Sequence, residues 1–155
     1  MNRKILFRGK LLRTGEWIEG YYCKTSDTTY AFSEDYDRYP VPEHHCILVD
    51  EMTDWGLPNR PTLHEVDPVT IGQYTGLTDR KGKRIWDGDI LLFTNTDNEQ
   101  SLYDVRWDYH RWLVQMHGDY PTTPDDLDDF FCQYAEVIGN IHDNKNLLKN
   151  QEVGE

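Results

Sequence analysis

Three neighbouring residues, His44, His45 and Cys46, are the most compact set of side chains in the sequence that could bind a metal ion. Because neighbouring residues of a strand point to opposite faces, only His44 and Cys46 could converge on one ion. A structural zinc site uses about four ligands, and no second pair such as Cys-x-x-Cys occurs in the chain. We therefore predict no metal site here and interpret the histidines as loop or strand-edge residues beside a buried thiol.

Two aspartates on either side of a glycine, Asp87 and Asp89 around Gly88, have the residue types of a general acid–base pair. Alternation along the chain sends both carboxylates to the same side of the turn. Acids that flank a turn glycine, however, commonly accept hydrogen bonds from nearby backbone amides and do nothing further. Since the sequence offers them no activated partner, we interpret the pair as turn chemistry.

A short acidic segment could hold a hard cation, which binds several oxygen ligands. Its members are Asp125, Asp126, Asp128 and Asp129. They lack the alternating, glycine-containing spacing of an EF-hand loop. We instead predict one short helix over residues 124 to about 131, with Thr123 as N-cap and the acids in the first turn, where the helix dipole favours them. The apolar residues expected to face the core are Leu127, Phe130 and Phe131.

A nucleophile with its base could be drawn from Cys46 and His44, or from Cys23 and another histidine. Neither pairing comes with a strand-to-helix elbow or with a third residue to orient the base. The glycines are spread over several turns and do not form a phosphate-binding loop before a helix. We therefore predict no catalytic, cofactor-binding or metal-binding residues, and no cofactor.

Charge and composition limit the partners. The 155 residues include 28 acidic and 16 basic side chains, for a net charge of −12. Lysine and arginine drive binding to nucleic acid and to anionic lipid, so we expect neither. The longest apolar run, residues 90–93, is far shorter than the ~20 residues that span a bilayer. The three cysteines are widely spaced, as in a protein with reduced thiols. We expect a soluble, cytoplasmic protein without a membrane segment.

The elements that position these residues are organised around one stretch, residues 71–93 (IGQYTGLTDRKGKRIWDGDILLF). Its alternation and its polar, glycine-containing breaks predict three short strands joined by two tight turns. Gly82 is expected to take the positive φ that the first turn needs. The residues of this structural motif are Gly76, Gly82, Trp86, Asp87, Gly88 and Asp89.

The segment before this stretch is predicted to be mainly β as well. Two strands around a polar, glycine-containing loop predict a hairpin over residues 4–22. Residues 30–32 and 46–49 are interpreted as further strands. Residues 54–68 contain three prolines, which predict a loop at the junction of two lobes.

The segment after it contains a second hairpin. Tyr103, Val105 and Trp107 alternate with polar residues, and the pattern resumes beyond a short polar turn, which predicts two strands with one aromatic face. A strand over residues 133–141 and a final helical turn follow. Residues 150–155 are expected to fray.

Four aromatic residues resemble the base-stacking platform that small barrels offer to single-stranded nucleic acid. They are Trp86, Tyr103, Trp107 and Trp112. Because the net charge opposes that function, we favour barrel core and a protein-binding patch. The predicted interaction surface comprises Trp107, Trp112, Asp125 and Asp126.

Several of these segments together resemble the YopX family of phages and prophages. The central block consists of residues 66–77 (VDPVTIGQYTGL), the turn 79–83 (DRKGK) and residues 85–90 (IWDGDI). The N-terminal FRGK and GEWIEGY segments and the C-terminal VIGNIHDN segment are similar to the family's outer pieces. The family often has Tyr-Glu where this chain has Trp86-Asp87, which preserves an aromatic residue and an acid.

The resemblance implies a mainly β protein with an N-terminal β-hairpin lobe, a small SH3-like barrel in its second half and one or two short helices. It implies a single domain over residues 1–150, with lobes at about 1–65 and 66–150, and a tail at 151–155. No established activity and no catalytic residue come with it. A family of phages and prophages also implies the cytoplasm of a bacterial host.

Two classes of function remain open at this point. The first is a non-enzymatic accessory protein that binds an unknown protein partner or itself, as a homo-oligomer formed through edge strands or aromatic patches. In one version, its carboxylates imitate DNA phosphates and occupy a host nucleic-acid-binding protein. The second is an enzyme or small-ligand-binding protein with a site at the lobe junction, near residues 51–68.

Overall fold

The structure, a computed structural model, describes residues 3–27, 29–118 and 122–149. Antiparallel strands dominate it, which confirms the predicted mainly β class. The chain divides into two compact units, an N-terminal unit over Ile5–Ile71 and a C-terminal unit from Gly72 onward, to which Arg3 and Lys4 also belong. The sequence placed the lobe boundary at about residue 65. The tail predicted to fray, residues 150–155, lies outside the described residues.

The N-terminal unit is built on four antiparallel strands of the described chain, in the order of the sequence. Phe7–Lys10 (β1) and Trp17–Ser26 (β2) form the predicted hairpin, with Lys10 opposite Trp17. Glu43–Glu51 (β3) and Arg60–Glu65 (β4) extend the sheet. Ile47 and Val66 lie fully buried on one face, whereas the opposite face of β2 and β3 carries Tyr21, Cys23, Cys46 and Leu48.

β4 lies inside the segment that the sequence predicted as a loop, so that prediction was wrong for residues 60–65. Val66 donates its amide to the His45 carbonyl at 2.9 Å, which fixes which pairs exchange hydrogen bonds along β3 and β4. By this alternation Pro61, opposite Asp50, occupies a non-hydrogen-bonded position of an edge strand. Because no amide is needed there, proline is compatible with the strand.

Residues 30–32, predicted as a strand, lead instead into the helix Ser33–Arg38 (α1). Glu34 and Asp35 lie in the first turn and Arg38 lies in the last, which suits the helix dipole. Tyr36 packs edge-on against Tyr30, with ring centroids 5.2 Å apart. A second helical segment, the 3-10 turn Pro68–Thr70, is capped by the preceding Asp67, whose carboxylate accepts the Val69 amide.

The C-terminal unit begins with the three strands predicted for residues 71–93. Gly72–Thr78 (β5) pairs with Arg84–Trp86 (β6), and Asp89–Thr94 (β7) follows. The predicted second hairpin is confirmed as Gln100–Asp108 (β8) and Arg111–His117 (β9). The sheet is completed by Asp125–Asp126 (β10) and Ala135–Asn140 (β11), in the order β10-β9-β8-β7-β11.

One hydrophobic core lies against the five-stranded sheet of this unit. Its buried members are Ile85, Leu91, Tyr103, Val105, Trp112, Val114, Leu127, Phe131, Cys132, Ala135 and Val137. They come from β6, from the sheet and from the segment between β10 and β11. The alternating residues of β8 and β9 therefore contribute Tyr103, Val105, Trp112 and Val114 to the core. Their period of two predicted that they would share one face.

The helix predicted over residues 124–131 is wrong in position. β10 occupies its first turn, and the helix Asp129–Cys132 (α2) starts later, capped by Asp128, whose carboxylate accepts the Phe131 amide at 2.8 Å. Leu127 and Phe131 are buried as predicted, but Phe130 is exposed. The helix does not start at residue 124 because Asp125 and Asp126 pair with Val114 and Leu113 of β9. Thr123, the predicted N-cap, does not cap the helix.

A final helix, Lys145–Lys149 (α3), follows a turn tied by asparagine side chains. The Asn140 side chain accepts the amides of His142 and Asp143. Within the described residues there are three short α-helices, one more than the upper expectation. None of the described helices is long and apolar enough to cross a bilayer.

Candidate functional site

An aromatic tip ends the β8–β9 hairpin, and we use this name for residues 107–111. Trp107 and Trp112 stand directly opposite each other next to the turn. Their rings meet edge-on, with centroids 4.9 Å apart. Trp112 belongs to the buried core, whereas 49% of Trp107 is exposed. Trp107 is therefore a surface aromatic whose orientation the core fixes.

Tyr109 is the most exposed large apolar residue of the tip, at 95%. Its φ is +48°, and the His110 amide donates across it to the Asp108 carbonyl. A bulky residue in the left-handed region is uncommon and costs about 1–2 kcal/mol. Such local strain is found disproportionately at functional positions. The turn thus holds a large ring in solvent at a cost to folding.

Acidic side chains lie beside the tip. β10 pairs with β9, and the Arg111 guanidinium binds the Asp126 carboxylate at 2.6 Å. Asp125 is exposed as well. Of the predicted interaction residues, Trp107 on β8 and Asp125 and Asp126 on β10 reach solvent on strands that lie on either side of β9. Trp112 of β9 is buried beneath Trp107. Tyr109 was missed, although an aromatic residue at a two-residue hairpin turn was visible in the sequence.

The predicted structural motif of residues 76–89 is placed at turns. Gly76, Gly82 and Gly88 have φ values of +92°, +81° and +79°, so Gly82 takes the positive φ predicted for it. Asp89 is buried and its carboxylate accepts the Trp86 amide at 2.9 Å. The Gly88 amide donates to the Val105 carbonyl, and its carbonyl accepts the Ile141 amide. These contacts give the Asp-Gly-Asp run an architectural role.

Among His44, His45 and Cys46, which were considered as metal ligands, His44 lies between two carboxylates. Its Nδ1 lies 2.6 Å from the Glu65 carboxylate, and its Nε2 lies 2.6 Å from the Asp27 carboxylate. Because each ring nitrogen must donate a proton to a carboxylate, this arrangement favours the imidazolium ion. The hydrogen bond to Glu65, followed by that to Asp27, raises the pKa of His44 above its usual 6.5. Among residues 3–27, 29–118 and 122–149, no group of three or more His, Cys, Asp or Glu side chains is arranged to hold a metal ion.

The protonation of His44 predicts a pH-dependent stability. A group whose pKa is higher in the folded chain than in the unfolded chain stabilises the fold when it is protonated. This stabilisation is fully present at a pH below the pKa in the unfolded chain, and it is lost as the pH rises through the pKa in the folded chain. The melting temperature of wild type should therefore exceed that of His44→Asn by more at about pH 6 than at about pH 9. Thermal unfolding in matched buffers measures this, with His110→Asn on the exposed turn as the control. A gap that is the same at both pH values, or that widens at the higher pH, would contradict the prediction.

The N-terminal unit exposes further aromatic residues that the sequence reasoning missed. Trp55 is 92% exposed, Phe32 is 71% exposed and Tyr39 is 64% exposed. The same unit has an open cleft of about 610 Å³ around α1. The cleft is lined by Ser26, Thr29, Tyr36, Pro40, Val41 and Glu43. Phe32 and Tyr39 flank α1, which has no buried residue.

Comparison with solved structures supports this description of the fold. The chain is similar to protein EF1440 from Enterococcus faecalis, with 22% sequence identity and a TM-score of 0.50. The alignment covers 95% of this chain and 99% of that one. At this level of identity the likeness concerns the fold alone. No curated protein matches the chain in sequence.

The family model of the YopX protein matches residues 6–149. The match runs from the start of β1 to the last residue of α3, through both compact units and through the turns described above. It therefore covers the N-terminal hairpin, the block around residues 71–93 and the asparagine-tied turn after β11. The chain belongs to the YopX family.

Proposed function

We propose that this protein is a non-enzymatic accessory protein of a phage or prophage, and that it acts in the bacterial cytoplasm by binding another protein through the aromatic tip. The observation that carries the proposal is Tyr109, a ring that is almost fully exposed and held at positive φ beside the half-exposed Trp107. An arrangement that costs folding energy and shows large apolar area to solvent is suited to a binding contact.

The tip has the chemistry of a binding anchor. Tyrosine and tryptophan dominate the energetics of protein interfaces because each offers a large contact area and has only two side-chain torsions to fix. Trp107 already rests against Trp112, so little of its freedom remains to be lost. The contact is therefore pre-organised, which improves affinity.

The surroundings favour a partner with basic groups around an apolar pocket. Asp108 belongs to the tip, Asp126 binds Arg111 of the tip, and Asp125 precedes Asp126 on β10. The whole chain carries a net charge of −12. Complementary charge at the rim of an interface speeds association and excludes wrong partners. A second copy of this chain would bring the same acids together, so we favour a different protein over self-association.

A site-specific cross-link tests the proposal. A photoreactive benzophenone residue replaces Tyr109 in bacterial cells that carry the protein naturally, and the control replaces Trp55, which is equally exposed. We expect a discrete adduct from position 109 that is absent from position 55. Adducts that do not differ between the two positions would contradict the tip as a docking site. An adduct with the mass of two copies, together with a dimer by light scattering, would identify the partner as a second copy.

Once the partner is known, Tyr109→Ala should weaken binding by about 2 kcal/mol or more, a loss of roughly thirty-fold. Its melting temperature should stay close to that of wild type because the removed ring touches little of the protein. Titration calorimetry measures the affinity, with Trp55→Ala as the matched control. Equal affinity for Tyr109→Ala and wild type would remove Tyr109 from the interface.

The DNA-mimic version predicts a different response to salt. Two of the acids near the tip already have partners, because Asp126 binds Arg111 and Asp128 caps α2. Charge mimicry requires many free carboxylates, and its affinity falls steeply with ionic strength. Binding anchored by aromatic rings should change little between low and physiological salt. A steep salt dependence that persists in Tyr109→Ala would favour the mimic.

The small-ligand alternative has one structural feature in its favour. A cleft of about 400 Å³ in the N-terminal unit is lined in part by Leu63, His64 and Glu65, which belong to the segment singled out in the sequence. The His64 ring is bound to Glu51 at 2.6 Å. A metabolite that raises the melting temperature of wild type but not that of His64→Ala would support this alternative.

A further inference from the structure

Two of the three cysteines, distant in sequence, are direct neighbours in the N-terminal sheet. Cys23 of β2 stands opposite Cys46 of β3. Directly opposite residues of an antiparallel pair project to the same face. That face is opposite to the one that carries the buried Ile47, and it also carries Tyr21, which is exposed. Both residues are free thiols.

The hydrogen-bond pattern defines the kind of pair. The Asp27 amide donates to the Pro42 carbonyl at 3.2 Å, in the same register that joins Cys23 to Cys46. Since hydrogen-bonded pairs recur at every second residue, the cysteines form a hydrogen-bonded pair, with Cα atoms about 5.5 Å apart. On its other side, β3 bonds to β4 through His45, whose carbonyl accepts the Val66 amide. Because successive residues of a strand bond to opposite neighbours, Cys46 bonds towards β2, which agrees with this assignment. Disulfides span Cα separations of about 4.4–6.8 Å, so this pair lies within reach of a bond.

We propose that Cys23 and Cys46 are a thiol–disulfide modification site, at which a small-molecule disulfide such as glutathione disulfide reversibly links β2 to β3. The sequence spacing gave no sign of it, because only the register of the two strands brings the cysteines together. The third cysteine, Cys132, is buried in the core of the C-terminal unit.

The two thiols have different environments, which sets the order of the steps. Cys23 is partly exposed, whereas only 6% of Cys46 is exposed. Burial, and to a lesser degree the proximity of Cys23, raises the pKa of the Cys46 thiol. A disulfide from solution therefore meets Cys23 first, and Cys46 acts as the resolving thiol.

The exchange is balanced in atoms and electrons. The Cys23 thiolate attacks one sulfur of glutathione disulfide, forms a mixed disulfide and releases one glutathione thiolate. The Cys46 thiolate then attacks Sγ of Cys23, forms the Cys23–Cys46 bond and releases the second glutathione thiolate. The protein loses two thiol protons and two electrons, and glutathione disulfide is reduced to two glutathione molecules. Excess glutathione reverses both steps.

The bond would close the chain between the two cysteines into a covalent loop. This loop contains α1, the exposed rings of Phe32 and Tyr39, and all six residues named above as lining the 610 Å³ cleft. A covalent loop restricts the unfolded chain and so raises the melting temperature. Oxidation is therefore expected to stabilise the N-terminal unit, to which this loop belongs.

The test uses the full chain in glutathione buffers of graded ratio, followed by alkylation, proteolysis and mass spectrometry. Wild type and Cys132→Ser should lose the mass of two hydrogen atoms and give one cross-linked peptide that contains Cys23 and Cys46. Cys46→Ser should stop at the mixed disulfide on Cys23. The melting temperature of the oxidised wild type should rise by several degrees, and reduction should restore the original value.

Two results would overturn the proposal. One is a wild type that accumulates glutathione on Cys23 without forming the cross-linked peptide. The other is a wild type that keeps both thiols reduced at every ratio. Cys23→Ser, which alters a partly exposed side chain, serves as the second variant: it should give neither product, and a Cys46 mixed disulfide in it would refute the assigned order of attack.

Discussion

Asp79→Ala is expected to lower the free energy of unfolding by about 3–5 kcal/mol. Asp79 is 5% exposed, and its carboxylate accepts three backbone amides. One oxygen accepts from Lys81 and Lys83, and the other accepts from Val137, each at 2.9 Å. A single side chain thus closes the β5–β6 turn and ties that turn to β11.

The three hydrogen bonds are not equivalent, which limits the size of the effect. Hydrogen bonds to a charged group contribute about 1.5–3 kcal/mol each. Lys81 and Lys83 are exposed, so their amides can bind water once the carboxylate is removed. Val137 is buried, and its amide would be left without an acceptor. The loss therefore falls below the simple sum of three.

A neighbouring ion pair provides the control. Arg80 and Lys81 both contact the Glu136 carboxylate, which joins the same turn to the same strand but lies near the surface. Because exposed ion pairs contribute little, Glu136→Ala should cost a small fraction of the Asp79→Ala loss. Urea unfolding of both variants makes the comparison, and Asp79→Asn should fall between them, since an amide offers one acceptor in place of two. Equal losses for Asp79→Ala and Glu136→Ala would show that the buried hydrogen bonds have no special role.

Elements with a strong period of two could be predicted from the sequence. The β8–β9 hairpin and the three strands of residues 71–93 lie where alternation and turn glycines placed them. In both cases the signal is local, because a strand that buries one face must alternate and a tight turn needs a residue that tolerates positive φ. Gly82 illustrates this, since its sequence context alone predicted its backbone conformation.

Elements whose conformation depends on pairing with a neighbouring strand could not be predicted from local residue patterns. Pro61 indicated a loop, but an edge strand has positions that need no amide. Pro124 indicated the first turn of a helix, but pairing with β9 draws the adjacent aspartates into β10. The cysteine pair has the same origin, because the register of β2 and β3 that joins Cys23 to Cys46 is a property of the folded sheet. Local residue types set preferences, and tertiary pairing selects among them.

The candidate site could be predicted only in part, because local residue patterns indicate a shared face but not the burial of each side chain. Trp107 and Trp112 belong to one alternating row, so the sequence indicated an aromatic face but not which ring would be buried. The two residues stand opposite each other at the same distance from the turn, so their burial depends on what covers each ring. Tyr109 continues the spacing of Tyr103, Val105 and Trp107, but it lies beyond the end of β8, and its exposure follows from the turn conformation.

Trp86→Ala is expected to cost about 3–5 kcal/mol, the range for removing a large aromatic side chain from a core. Trp86 is 3% exposed and stands opposite Tyr74 in the β5–β6 pair, with ring centroids 5.4 Å apart. The substitution removes the buried apolar area and leaves a cavity, because β6 and the adjacent Asp-Gly-Asp turn are fixed by their own hydrogen bonds and cannot collapse into it.

The same change at an exposed tryptophan separates burial from residue type. Trp55→Ala, at a side chain that is 92% exposed, should alter the free energy of unfolding by no more than about 0.5 kcal/mol. Trp86→Phe should cost less than Trp86→Ala, because a phenyl ring fills most of the space. Chemical denaturation of the three variants measures the order. A loss below about 1 kcal/mol for Trp86→Ala would place that ring outside the stabilising core, and the block that identifies the family would then need an explanation other than architecture.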